Sequence, residues 1–153
     1  MRGILLNDKA AIRSLIPHAG AMCLLDAVAA WDERSITCLT ETHRDPANPL
    51  RRQGRLAALH AIEYGAQAAA IHGALCARAA GQTAAPGYLA ALRDARWFVP
   101  DLDAVAAPLE VVASPVLGDG GHWIYAIRVS AAGRALAEAR ITIALRAVGG
   151  GGA

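Results

Sequence analysis

In the 153-residue chain, the segment from Ala57 to Ala79, AALHAIEYGAQAAAIHGALCARA, carries His60, Glu63 and Gln67 in an otherwise apolar run. Spacings of three and four residues put these polar groups on one helix face. A carboxylate buried there without a partner is costly to keep charged, and a protonated carboxyl is what a general acid requires. Glu63 is the candidate proton donor. His60, one turn earlier, is a candidate base for the same pocket, and Gln67 is placed to position Glu63 or a bound substrate. The alternative for Glu63 is an ion pair with an arginine such as Arg93 or Arg96. His43, His72 and His122 have no partner that spacing reveals, and without clustered ligands no metal site is expected.

The element that must position these groups is the segment itself. It contains no Pro and is rich in Ala, Leu and Ile, so it reads as one helix. A helix apolar nearly all round belongs inside something. At ~1.5 Å per residue it is about 34 Å long, enough to cross a small sheet. Gly65, Ala66, Ala69 and Gly73 allow that sheet to approach closely. Upstream, Asn7 or Asp8 can cap a short helix from Lys9 to Leu15, stopped by Pro17. Cys23 to Trp31 and Ser35 to Thr42 read as strands joined by the bend Asp32-Glu33-Arg34. From His43 to Arg55 the chain is a basic, turn-rich loop.

Downstream, Gly81 is a natural helix cap, and Gly87 to Val99 fits helix or strand equally by periodicity. Leu109 to Leu117 and His122 to Ser130 flank Gly118-Asp119-Gly120-Gly121, a hairpin signal, with Pro115 implying an edge or a bulge. The last strand, through Leu145, alternates small or apolar residues with Arg, Glu and Thr. Two strands, a buried helix and three or four further strands make one α+β domain over residues 1–148, with 149–153 a frayed glycine-rich tail. A single sheet covering a single helix leaves apolar surface for a second subunit, so a dimer is expected.

Composition narrows the class. With 55% hydrophobic and 18% charged residues the chain is a globule with a sizeable core. Its formal net charge of +2 comes without Lys/Arg runs or interleaved aromatics, which sets nucleic acid aside. Cys23, Cys38 and Cys76 form no CxxC pair, so neither zinc nor a disulfide framework is indicated and a reducing cytoplasm is the expected setting. The N-terminal apolar run is too short for a secretory signal, and Glu63, Gln67 and two histidines argue against the long helix spanning a membrane.

Two motifs carry a family resemblance. Ile16-Pro17-His18-Ala19-Gly20-Ala21-Met22-Cys23-Leu24-Leu25-Asp26 is similar to an LPHRxPMLLLDRV opening, and Ile62-Glu63-Tyr64-Gly65-Ala66-Gln67-Ala68 to IEYMAQA. Together the chain resembles the hotdog-fold 3-hydroxyacyl-carrier-protein dehydratases, in particular the small branch found with aryl polyene and related lipid gene clusters. The resemblance implies a curved antiparallel sheet wrapped around the long helix, which makes Gly87-Tyr88-Leu89-Ala90-Ala91-Leu92-Arg93 a strand. It implies dehydration of a 3-hydroxyacyl thioester, carried on an acyl carrier protein or coenzyme A, to a trans-2-enoyl thioester, with no cofactor. Glu63 matches the family's helix carboxylate and Gln67 its glutamine one turn on.

The departure is the loop before the helix. The larger dehydratase group has a catalytic His in a GHFPGxPxxPG loop, whereas Asn48-Pro49-Leu50-Arg51-Arg52-Gln53-Gly54-Arg55 contains none. The base must then be His18, the better-matched His, or His60. Arg51, Arg52 and Arg55 are candidates for the phosphate of a pantetheine arm or an acidic carrier protein. Competing expectations are a hotdog thioesterase, in which Glu63 activates water, and a degenerate subunit that binds acyl carriers beside a catalytic paralogue, making a heterodimer rather than a homodimer.

Overall fold

The computed structural model describes residues 7–16 and 22–145. Helix α1 (Lys9–Leu15) is capped by Asp8, whose carboxylate accepts from the Ala10 N–H at 2.9 Å, and it buries Ile12. Strands β1 (Ala27–Asp32) and β2 (Ser35–Thr40) form a hairpin. Asp32 Oδ1 fixes its bend by accepting from the N–H groups of Arg34 and Ser35. At its open end the ladder is shorter than the sequence predicts, beginning at Ala27 and ending at Thr40, while at the bend it reaches Asp32 and Ser35. The backbone of Leu24 is bonded by the side chains of Gln67, Thr40 and Thr42, and Thr42–Arg44 turns as a 3-10 helix.

A second 3-10 turn, Ala58–His60, leads into helix α2 (Ala61–Ala79). The predicted helix therefore exists, with a tighter first turn. Gly81 closes it at φ 73°, with the Gln82 N–H bonded to the Ala77 carbonyl at 2.8 Å. Strands β3 (Gly87–Trp97), β4 (Leu109–Gly118), β5 (His122–Ala131) and β6 (Arg134–Leu145) follow. The six strands form one antiparallel sheet in the order β1-β2-β4-β5-β6-β3. Between β2 and β3 the chain passes from near one edge to the opposite edge, and α2 makes that crossing over the sheet's inner face. Pro115 sits at a register shift, so its missing N–H is accommodated by a bulge in an interior strand.

Core side chains from α2 (Tyr64, Ala68, Ile71, Leu75) and from the inner faces of the strands (Val111, Ile127, Val129, Ile141) belong to one apolar cluster. Contact is closest at Gly65, where an added Cβ would meet Ile127 Cδ1 and lie 2.9 Å from Ile127 Cβ. Strand β3 is different. Every side chain from Tyr88 to Trp97 is exposed, including Leu89, Leu92 and Trp97, and β3 is an edge strand. An unprotected apolar edge is ready to pair with another strand.

Candidate functional site

Glu63 lies in the first turn of α2 and Gln67 one turn further on. Gln67 is 4% exposed and its amide orientation is fixed by its neighbours. Oε1 accepts from the Leu24 N–H at 2.9 Å, a group that can only donate, and Nε2 donates to the Met22 carbonyl at 2.6 Å, a group that can only accept. The second Nε2 hydrogen faces Glu63 Oε1 at 3.2 Å. The other carboxylate oxygen has no hydrogen-bond partner among the described residues. Arg93 and Arg96 form no ion pair with Glu63, so the structural alternative raised for this carboxylate is not what holds it.

The segment that Gln67 grips is clamped from its other side as well. The Leu24 carbonyl accepts from Thr40 Oγ1 at 2.6 Å and Thr42 Oγ1 at 2.7 Å. Thr42 meets Tyr64 Oη at 2.8 Å, and Asn48 Nδ2 donates both to Tyr64 Oη at 3.1 Å and to the Thr42 carbonyl at 2.8 Å. Burial raises the Tyr64 pKa, keeping its hydroxyl neutral. Asp26 completes the network: its carboxylate accepts from the Glu41 N–H at 2.8 Å and from Lys9 Nζ at 2.9 Å. Burial pushes its pKa up, but these donors outweigh it and hold the group below the usual range. Spacing gives no signal for this network, because bonded members such as Thr42 and Tyr64 are 22 residues apart and Leu24 and Gln67 are 43 apart, and each is unremarkable alone.

His60 is the last residue of the 3-10 turn and half-buried. Burial lowers its pKa, the Arg52 guanidinium adds to the lowering, and Glu63 opposes it. His60, Arg52 and Glu63 are therefore within electrostatic reach at the start of α2, and the imidazole is held neutral. His18, the other candidate base, lies outside the described residues.

The loop arginines divide by what holds them. The Arg51 guanidinium donates to three backbone carbonyls, those of Asp45 at 2.9 Å, Gly54 at 2.9 Å and His43 at 3.1 Å, and so ties the loop together. Arg55 pairs with Asp101 at 2.6 Å. Arg52 donates through one nitrogen, Nη1, to the Pro49 and Arg51 carbonyls, and its other guanidinium nitrogens have no hydrogen-bond partner among the described residues.

His72 is buried, as is His43, and has partners that spacing does not reveal. Its Nε2 donates to the Asp32 carbonyl at 2.7 Å, so Nδ1 is the acceptor for Tyr125 Oη at 2.8 Å. Burial lowers its pKa, opposed by the Asp32 carbonyl. It ties α2 to the β1–β2 bend and to β5.

Comparison with known proteins follows this geometry. A model of the ApeP-like family, described as the ApeP dehydratase, matches residues 10–147. Among solved structures, the dehydratase heterocomplex ApeI:P from Xenorhabdus doucetiae is similar at 23% identity and a TM-score of 0.80, over 90% of this chain and 91% of that one. A mutant of the thioesterase PA1618 from Pseudomonas aeruginosa is similar at 15% identity and a TM-score of 0.63, over 92% and 95%. The thioesterase HI1161 from Haemophilus influenzae is similar at 13% identity and a TM-score of 0.62, over 88% and 90%. A search of curated proteins found no match. These likenesses share the arrangement described above, an antiparallel sheet with one long helix across it. None of the helices among the described residues is long and apolar enough to cross a membrane. With the family model spanning nearly the whole chain, the protein belongs to the ApeP-like dehydratases, a hotdog-fold family.

Proposed function

We propose that this dehydratase removes water from 3-hydroxyacyl thioesters with Glu63 as the proton donor. The observation that carries the assignment is the one-sided restraint of its carboxyl: Gln67 occupies Oε1, and Oε2 has no hydrogen-bond partner among the described residues. A histidine takes the C2 proton as enolate character develops in the thioester, Glu63 Oε2 gives its proton to the departing C3 hydroxyl, and water leaves with the thioester bond intact. The positive end of α2 lies beside Glu63 and favours the developing oxyanion. The base is His18 or His60. His18 is favoured by the opening motif and His60 by its neutral imidazole next to Glu63. Gln67 acts as a positioning residue, and Arg52 is the loop cation best placed for the phosphate of a pantetheine arm. Arg51 and Arg55 hold the loop that presents it.

The substrate is carried on an acyl carrier protein or coenzyme A, in aryl polyene or related fatty-acid-like synthesis, and the setting is cytoplasmic, in keeping with three free cysteines. Strand β3 pairs edge to edge with a second hotdog subunit, either another copy or a paralogue. The paralogue is supported by the ApeI:P relative being a heterocomplex. The test is incubation with 3-hydroxyacyl carrier protein followed by intact mass measurement, on this protein alone and mixed with a catalytic hotdog paralogue. Loss of one water by the protein alone supports the proposal. Loss of the acyl group would make it a thioesterase, and activity only in the mixture would make it a carrier-binding subunit.

A further inference from the structure

Tyr64 follows Glu63 in α2 and is fully buried, and the proposed reaction gives its hydroxyl no task. Its neighbours fix the direction of each hydrogen bond it makes. Asn48 Nδ2 donates to the Thr42 carbonyl at 2.8 Å, and Asn48 Oδ1 accepts from the Leu50 N–H at 2.9 Å, so the amide orientation is set and Nδ2 can only donate to Tyr64 Oη, at 3.1 Å. The single Tyr64 hydroxyl hydrogen then goes to Thr42 Oγ1 at 2.8 Å, and the Thr42 hydrogen goes to the Leu24 carbonyl at 2.7 Å. Burial raises the Tyr64 pKa, so the hydroxyl keeps the hydrogen that this run of bonds needs.

A second run starts on the other side of Leu24. Its N–H donates to Gln67 Oε1 at 2.9 Å, and Gln67 Nε2 donates to Glu63 Oε1 at 3.2 Å. The two runs meet at Leu24, whose carbonyl receives one and whose N–H begins the other. Within each run the bonds point the same way and so reinforce one another. Asn48 also ties in the basic loop, since its carbonyl accepts from the Arg51 N–H at 3.1 Å, and Arg52 Nη1 in turn donates to the Pro49 and Arg51 carbonyls. Tyr64 Oη is therefore the point at which α2, the turn after β2 and the Arg52 loop are joined.

We propose that Tyr64 is a positioning residue for the dehydration: through Thr42, Leu24 and Gln67 its hydroxyl sets the Glu63 carboxyl, and through Asn48 it sets the loop that carries Arg52. This rests on the proposed role of Glu63 as proton donor. Packing does not account for the hydroxyl, because a phenylalanine ring would fill the same space without burying a polar group. A proton donor that must meet a departing hydroxyl gains from such a hold, since a displacement of roughly 1 Å can cost about 100-fold in rate.

The test compares the unaltered protein with Tyr64→Phe, which keeps the ring and removes the hydroxyl, using a 3-hydroxyacyl-N-acetylcysteamine as substrate. kcat should fall about 10–100-fold with KM nearly unchanged. Added to Gln67→Ala, the substitution should lower kcat no further than Gln67→Ala alone, because both act through one run of bonds. Thr42→Val should repeat the loss, and Thr42→Ser, which keeps the hydroxyl, should retain most of the activity. Amide hydrogen exchange at Leu24, followed by NMR, reads the same hold without turnover. It should speed up about tenfold or more in Tyr64→Phe while the β5 amides keep their rates, whereas a general loss of stability would speed both. An unchanged kcat, losses from Tyr64→Phe and Gln67→Ala that multiply, or Leu24 exchange that moves only in step with β5 overturns the inference. If the unaltered protein is inactive, or Glu63→Gln is fully active, the reading of Glu63 fails by itself, and the hold of Tyr64 on Leu24 is then decided by the exchange alone.

Discussion

Gln67 Nε2 donates to Glu63 Oε1 at 3.2 Å while Gln67 Oε1 is held by the Leu24 N–H at 2.9 Å, so the glutamine can present only its NH2 to the carboxyl. If Glu63 is the acid, its mobile proton belongs on Oε2. Glu63→Gln should then lower kcat by about 10²–10⁴-fold while leaving the thermal unfolding midpoint near that of the unaltered protein, as expected for loss of a general acid. Measuring both on one preparation separates chemistry from folding, and full activity would remove Glu63 from the reaction.

Gln67→Ala has a different signature. It leaves the buried Leu24 N–H without its partner, at a cost of about 1–3 kcal/mol, and also frees the part-buried Met22 carbonyl. Denaturant unfolding should show that loss together with a reduced kcat. Gln67→Glu is the sharper comparison. It keeps the acceptor for Leu24 but sets a carboxylate beside Glu63, so repulsion between the two charges should shift the pH–rate profile to higher pH.

Much of this arrangement is legible in the sequence because it repeats locally. A Pro-free run rich in Ala, Leu and Ile marks α2, Asn7 or Asp8 marks the start of α1, and Gly118-Asp119-Gly120-Gly121 marks the β4–β5 turn. Gly87–Trp97 is not legible this way. As an edge strand it buries neither face within the subunit, so its side chains show no clean alternation, and only the family resemblance identifies it as a strand. The clamp on Leu24 is invisible for another reason: Thr40, Thr42, Asn48, Tyr64 and Gln67 meet through tertiary structure, and no helical or strand period links them. Arg51 shows the converse. In sequence it resembles Arg52, yet its guanidinium is bonded to three carbonyls of its own loop.

Histidine burial sets the acid side of the stability profile. His43, His60 and His72 all have pKa values lowered mainly by burial. Below the ordinary value of 6.5 the unfolded chain therefore binds protons that the folded chain does not, and stability falls as pH drops through this window. Asp26 acts lower. Its folded pKa is below 3.8, so its contribution is present above that value and is lost only as pH falls through the folded pKa. His72→Gln should flatten the slope of unfolding free energy between about pH 6.5 and 5 without affecting the lower limb. Urea titrations across that range measure it, and an unchanged slope would show that His72 does not resist protonation.

Gly65 sets how closely α2 approaches β5. Adding a methyl there brings it against the Ile127 side chain, including Cβ at 2.9 Å, and β5 is held by neighbours on both sides, so neither element can yield easily. Gly65→Ala should cost about 1–3 kcal/mol despite the better helix propensity of Ala, the direction expected for overpacking. Gly73, whose Cβ would meet nothing within 4 Å, is the control on the same helix. Gly73→Ala should be neutral or stabilising in the same denaturant experiment, and equal effects at the two sites would mean that Gly65 is not a packing constraint.

The proposed pairing through β3 is tested at Leu92. Its neighbour in register, Ile141, is buried on the inner face, whereas Leu92 is 44% exposed within the subunit because no strand lies beyond it. A second hotdog subunit paired along β3 would extend the sheet and cover this side chain. Leu92→Asp would then bury a charge in an apolar contact, at a cost sufficient to shift a dimer toward monomer. Light scattering after gel filtration should give the mass of a dimer for the unaltered protein and a concentration-dependent fall toward monomer for Leu92→Asp. Within the monomer the substitution is at an exposed position and should leave the far-ultraviolet circular dichroism unchanged. A dimer that survives the charge intact would place the subunit contact on some surface other than β3.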